Sequence, residues 1–131
     1  MNKDFSFSKK ERLHKQIMID DLFSNGQVFK IPSFRVHFLI VADQNPSSVQ
    51  LLISVSAKIF KKSVDRNRIK RLIRESYRLN KSNYPVVLPN KNQSLLVGII
   101  FMGKSLPDYK NVEERIVLIL NRLIKEVETA I

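Results

Sequence analysis

The chain has 131 residues, 44% of them hydrophobic, and its 23 lysines and arginines against 12 acids give a formal charge of +11. That length suits one domain, residues 1–131, able to bury a core of its own, and the charge on so small a body points to a polyanionic partner, nucleic acid ahead of an anionic membrane. The absence of cysteine excludes disulfide scaffolds, zinc fingers, thiol catalysis and iron–sulfur clusters, and two histidines, His14 and His37, are too few for a histidine-rich metal site.

In chain order, the spacing of Met18, Ile19, Leu22 and Phe23 predicts a helix over 15–25, with Gly26 placed to end it in a left-handed conformation. A short strand is expected near Val28–Lys30. Phe34, Val36, Phe38, Ile40 and Ala42 alternate with Arg35, His37, Leu39 and Val41, the period of a strand. The cluster Asp43-Gln44-Asn45-Pro46-Ser47-Ser48 reads as a turn, so the next strand, 49–56, is expected to pair antiparallel with 34–42.

Residues 63–79 form the clearest helix. Ile69, Leu72, Ile73, Ser76 and Tyr77 make one apolar face, and Asn67, Lys70, Arg71, Arg74 and Arg78 gather on the other, with Arg71 and Glu75 spaced as an ion pair. Residues 80–93 read as a polar, Pro-containing connection. The apolar run 94–102 is expected to be a strand buried on both faces or central in the sheet. Asp108 is placed to cap a last helix, to about Thr129, whose apolar positions include Val112, Ile116, Ile119, Leu120, Leu123 and Val127. The result is an α+β fold, a small single-domain α/β sandwich with helices on one sheet.

Charge is concentrated rather than spread. Nine basic side chains fall between Lys58 and Arg78 against Asp65 and Glu75 alone, and Lys3, Lys9, Lys10, Arg12 and Lys15 crowd the first fifteen residues. From Lys104 onward, bases and acids balance. Phosphates accept charge-assisted bonds from such a face, and each phosphate neutralised releases counterions; Asn67, both donor and acceptor, suits a sugar or base edge. A helix-turn-helix lacks its second helix here, because strand and Pro-containing segments flank 63–79. A metal-dependent nuclease would need clustered ligands, whereas Asp20-Asp21 and Glu113-Glu114 are adjacent on helices and diverge. No apolar run reaches about 18 residues, and the N-terminus has no apolar signal core, so a cytoplasmic protein without a membrane partner is expected. A ribosomal protein fits the charge as well.

The run Arg66-Asn67-Arg68-x-Lys70-Arg71-x-x-Arg74-Glu75, preceded by Val64-Asp65, resembles the RNR signature of the bacterial ribonuclease P protein subunit. Arg12-Leu13, Leu22-Phe23 with Gly26, and Ile53-Ser54-Val55-Ser56 leading to Lys58 are similar to that family's opening and second strand. The resemblance implies an αβββαβα order, ribosomal protein S5 domain 2-like, with a left-handed crossover around the basic helix. It also implies a role as protein cofactor of an endoribonuclease that removes the 5′ leader of precursor tRNA, with ribonuclease P RNA and precursor tRNA as partners. The RNA subunit would perform the hydrolysis and hold most of the Mg²⁺; the protein, a monomer outside the holoenzyme, would supply no catalytic residue and bind no cofactor alone.

On the same resemblance, Arg66, Asn67, Arg68, Lys70, Arg71 and Arg74 are expected to meet the RNA subunit. The leader would lie against Arg35, His37, Ser54, Ser56 and Lys58, with Ile19 and Phe23 closing the floor. Two positions depart from the family pattern: Ile19 stands where an aromatic is frequent, and Ala57 where a lysine is usual. From the residues alone, Phe23 also reads as core and His37 as a solvent-facing strand residue; Tyr77, Phe34 and Phe38 read as core.

Overall fold

A computed structural model describes residues 11–13, 15–43 and 48–130; Lys3, Lys9, Lys10, His14 and residues 44–47 of the expected turn lie outside them. The elements run α1 (Gln16–Asn25), β1 (Gln27–Ile31), β2 (Phe34–Ala42), β3 (Ser48–Val55), α2 (Ser63–Asn80), a 3₁₀ turn (Lys81–Asn83), β4 (Gln93–Phe101) and α3 (Tyr109–Ala130), the expected αβββαβα order. Asp108 caps α3 as its position suggested, its Oδ1 accepting the Asn111 N–H at 2.8 Å. The six apolar positions named for α3 are its buried residues.

The sheet corrects one expectation. Its strand order is β1-β2-β4-β3, with β1–β2 and β2–β4 antiparallel and β3–β4 parallel, so β2 and β3 do not form a hairpin. Strand β4 separates them because it alone lacks a polar face: all but Gln93 and Ile100 of its nine residues are buried. Such a strand is most stable in the centre, and its parallel pairing with β3 needs the long crossover that α2 provides. The turn signal at 43–48 does not by itself determine a partner. Asp43 is instead a buried tie, accepting from Gln50 Nε2 and Ser94 Oγ, each at 2.9 Å, and so joining the ends of β2, β3 and β4.

Two apolar layers flank the sheet. Phe34, Val36 and Phe38 of β2 face α2 and α3, meeting Ile69, Ile73 and Tyr77 from one helix and Ile116 and Ile119 from the other. On the opposite side, α1 lays Leu22 over Leu96 and Leu13, with Met18, Ile19, Leu39, Val41 and Leu52 around them. Gly26 ends α1 for a different reason from the one its sequence position suggests. Its φ of −73° and ψ of 159° are extended, not left-handed, but a Cβ there would stand 2.3 Å from the Leu22 carbonyl oxygen. The connection after α2 is not a bare polar loop, since Tyr84, Val86 and Leu88 pack against the larger core.

Candidate nucleic-acid interface

Helix α2 forms where apolar residues recur at helical spacing, and it buries Ile69, Ile73, Ser76 and Tyr77, with Leu72 half-buried. Asp65 in the first turn complements the positive end of the helix dipole. Opposite the buried face, Asn67, Arg68, Arg71 and Arg74 are exposed, and Arg66 and Lys70 are half-buried. Among the described residues the ion pairs are Glu75–Arg78 at 2.6 Å, Glu11–Lys81 at 2.7 Å and Glu126–Arg122 at 3.0 Å. None takes a cation from Arg66 to Arg74. Glu75 thus reaches Arg78, three residues on, rather than Arg71 as its spacing suggested, leaving Arg71 on the unneutralised face.

The six motif residues do not act as one comb. Arg66 turns back, donating from one terminal nitrogen to the carbonyls of Phe60 at 2.7 Å and Lys61 at 3.0 Å. It thereby braces the turn between β3 and α2. Asn67, Arg68 and Arg71 point outward. Lys70 and Arg74 line a groove that also contains Arg12 and Leu13.

The expected leader residues lie mainly on the other side of the sheet, beside α1. Register places Arg35, Ile100 and Ser54 side by side across β2, β4 and β3, and His37, Gly98 and Leu52 in the next rank. Gly98 lets α1 lie close: a Cβ would lie 3.3 Å from Leu22 Cδ2, tighter than ordinary van der Waals contact, and 3.4 Å from Phe23 Cζ. Phe23 is 39% exposed and sets its ring edge against His37, with centroids 4.7 Å apart, a rim residue more than a core one. His37 is not solvent-facing. It is 9% exposed, and both ring nitrogens, like Arg35 Nε, are buried without a hydrogen-bond partner among the described residues. Burial, and secondarily the Arg35 guanidinium, pull its pKa below the usual 6.5, so the imidazole is neutral at neutral pH with one donor and one acceptor.

Ile19 packs among Met18, Leu39 and Leu52 under α1. Ser56 Oγ accepts the Lys58 N–H at 3.2 Å, shaping the turn on which exposed Lys58 sits. Because Arg66 braces that same turn, the α1-side surface and the basic helix are mechanically joined. Sequence reading missed Ile100 and Gly98, which become part of this surface only through the β2–β4–β3 register; it named Arg12 but not its place beside α2, which only the fold creates.

A three-layer α+β domain whose crossover helix carries unneutralised cations has the build of a protein that meets a folded polyanion. The sequence matches the Ribonuclease P family over residues 7–124, and the chain belongs to that family, the protein components of an endoribonuclease ribonucleoprotein of tRNA processing. It is 32% identical over 126 residues to the ribonuclease P protein component of Porphyromonas gingivalis, covering 96% of this chain and 92% of the relative. The Pseudoalteromonas atlantica component is 34% identical over 123 residues, covering 93% and 90%. The fold superposes on the ribonuclease P protein from Thermotoga maritima with a TM-score of 0.62 at 26% identity, over 86% of this chain and 96% of that one. It also matches the Staphylococcus aureus protein with a TM-score of 0.66 at 21% identity, over 86% and 94%. Family membership makes ribonuclease P RNA its partner. No helix among the described residues is long and apolar enough to cross a membrane.

Proposed function

We propose that the two sides of the sheet divide the work of the holoenzyme. The outward side chains of α2, Asn67, Arg68 and Arg71 with Lys70 and Arg74 beside them, bind phosphates and sugars of the RNA subunit, while Arg66 holds the turn that presents them. The α1 side, with Arg35, His37, Ser54, Ser56 and Lys58, takes the single-stranded 5′ leader of precursor tRNA, and Phe23 offers an aromatic edge to a leader base. Cations at Arg35 and Lys58 suit phosphates, whereas His37, its ring nitrogens buried, backs the Phe23 ring that borders the cleft. The single observation that carries the reading is the run of exposed α2 cations that no ion pair among the described residues neutralises.

Hydrolysis belongs to the RNA subunit and its Mg²⁺. The chain's own side chains bind, orient and screen charge. The protein works as a monomer outside the holoenzyme and in the cytoplasm. Comparing precursor with mature tRNA tests the leader assignment. Arg35→Ala or Lys58→Ala should weaken holoenzyme binding of the precursor and leave mature tRNA unchanged; equal losses for both would remove these residues from the leader path.

A further inference from the structure

Residues 12–13 run along the outer edge of β3. Arg12 forms a parallel bridge with Leu51, the Leu13 N–H donates to the Leu51 carbonyl at 3.0 Å, and Leu13 is buried at 4% exposure. This anchoring fixes Arg12 opposite α2, from which Lys70 and Arg74, one turn apart, approach the same space. Between them lies a groove of about 230 Å³ whose floor is Leu13, Leu52 and Ile53 together with Leu51. Its three polar lining residues are all cations, and Arg12 comes from 58 residues before Lys70 in sequence.

We propose that this groove takes one unpaired nucleotide of the ribonuclease P RNA, with its phosphate on Arg12, Lys70 and Arg74 and its base on the aliphatic floor. The inference rests on the reading of α2 as the RNA-subunit face and adds to it a further binding residue, Arg12, and a preference for extrahelical nucleotides. Convergent cations match a phosphate, which accepts several charge-assisted bonds at once. The floor has no use for a bare phosphate, and a base stacked within a duplex cannot reach it; an unpaired, splayed base can. The space is below the roughly 300 Å³ at which pockets for drug-sized ligands begin, so it suits a single nucleotide rather than a helical segment.

The chain has no cysteine, so Arg12→Cys creates a unique thiol for a photo-crosslinking aryl azide. In the holoenzyme reconstituted with the RNA subunit of the same organism and precursor tRNA, crosslinks should fall on one short segment of the RNA subunit containing an unpaired nucleotide. Crosslinks to precursor tRNA, or only to paired RNA, would overturn the proposal. Independently, Arg12→Ala should lower the affinity for the RNA subunit and reduce the slope of log K against log salt by roughly 0.7–0.9, and Arg12→Lys should restore both. Combined with Lys70→Ala, it should lose less than the product of the two single losses, as residues sharing one phosphate do. If Lys70→Ala weakens assembly while Arg12→Ala does not, the groove is wrong and the α2 face stands. If Lys70→Ala and Arg74→Ala are also silent, both fall.

Discussion

Arg66 and the pair Arg68 and Arg71 belong to one motif, yet their surroundings require opposite phenotypes. Arg66→Ala deletes two charge-assisted bonds to the Phe60 and Lys61 carbonyls. Such bonds contribute about 1.5–3 kcal/mol each when buried, and partial exposure here discounts the sum to about 1–2 kcal/mol. For a domain of this size that lowers Tm by about 4–8 °C. The Arg68→Ala/Arg71→Ala double variant deletes exposed side chains with no ion pair among the described residues, so stability should move by less than about 0.5 kcal/mol. Its cost should appear in RNA binding. Two lost phosphate contacts reduce the salt slope by about 1.4–1.8, so an affinity defect measured near 50 mM salt should shrink by about 7- to 12-fold near 200 mM. Calorimetric melting and filter binding to the RNA subunit at several salt concentrations read the two axes separately. A double variant that melts early with an unaltered slope, or an Arg66→Ala protein of wild-type Tm, would refute the division of the motif into a brace and a contact surface.

Three further outcomes follow from the packing. His37 has a folded-state pKa below its unfolded 6.5, so the unfolded chain binds more protons in the window between the two values. Its contribution to stability is therefore present above about pH 6.5 and lost as pH falls below it, and urea midpoints between about pH 8 and pH 5 should drop less steeply in His37→Phe than in the wild type. Asp43→Ala leaves the buried Gln50 amide and Ser94 hydroxyl without their acceptor and should cost about 2–5 kcal/mol in urea denaturation, whereas a turn residue would tolerate it with little loss. Gly98→Val pushes a branched side chain against Leu22 and Phe23 and should cost about 1–3 kcal/mol; by displacing α1 it should weaken precursor tRNA binding while assembly with the RNA subunit is retained.

The helices were legible because α2 and α3 each repeat apolar residues at helical spacing over four or more turns, a signal that survives without tertiary information. Strand β4 was legible as central because nothing in it is written for solvent. What the chain does not carry locally is partner choice. The 43–48 segment signals a turn equally well for a hairpin or for a strand that leaves its neighbour, and only the insertion of β4 decides between them. The same limit explains Glu75, which has cations at both four residues before and three after, and packing selects Arg78. Alternation put His37 on the polar face of β2, but its burial comes from Phe23 of α1, fourteen residues earlier in the chain. The RNR run located the basic helix, though the retreat of Arg66 depends on where the carbonyls of the β3–α2 turn point. Arg12 was marked by the basic N-terminus and the Arg12-Leu13 resemblance, but its position beside Lys70 exists only once residues 12–13 lie along β3.

In the proposed function this chain supplies binding and charge screening to an RNA-borne reaction rather than a catalytic group. Single-turnover cleavage of precursor tRNA, measured with protein alone, RNA subunit alone and the reconstituted holoenzyme across a Mg²⁺ series, tests it most directly. The protein alone should cleave at no Mg²⁺ concentration, the RNA alone only at high Mg²⁺, and the holoenzyme should be fully active at low Mg²⁺. Replacing Asp20, Asp21, His37, Asp65 or Glu75 one at a time should not abolish cleavage at saturating Mg²⁺. Cleavage by the isolated protein, or one such replacement that abolishes holoenzyme turnover with folding and RNA binding intact, would contradict it.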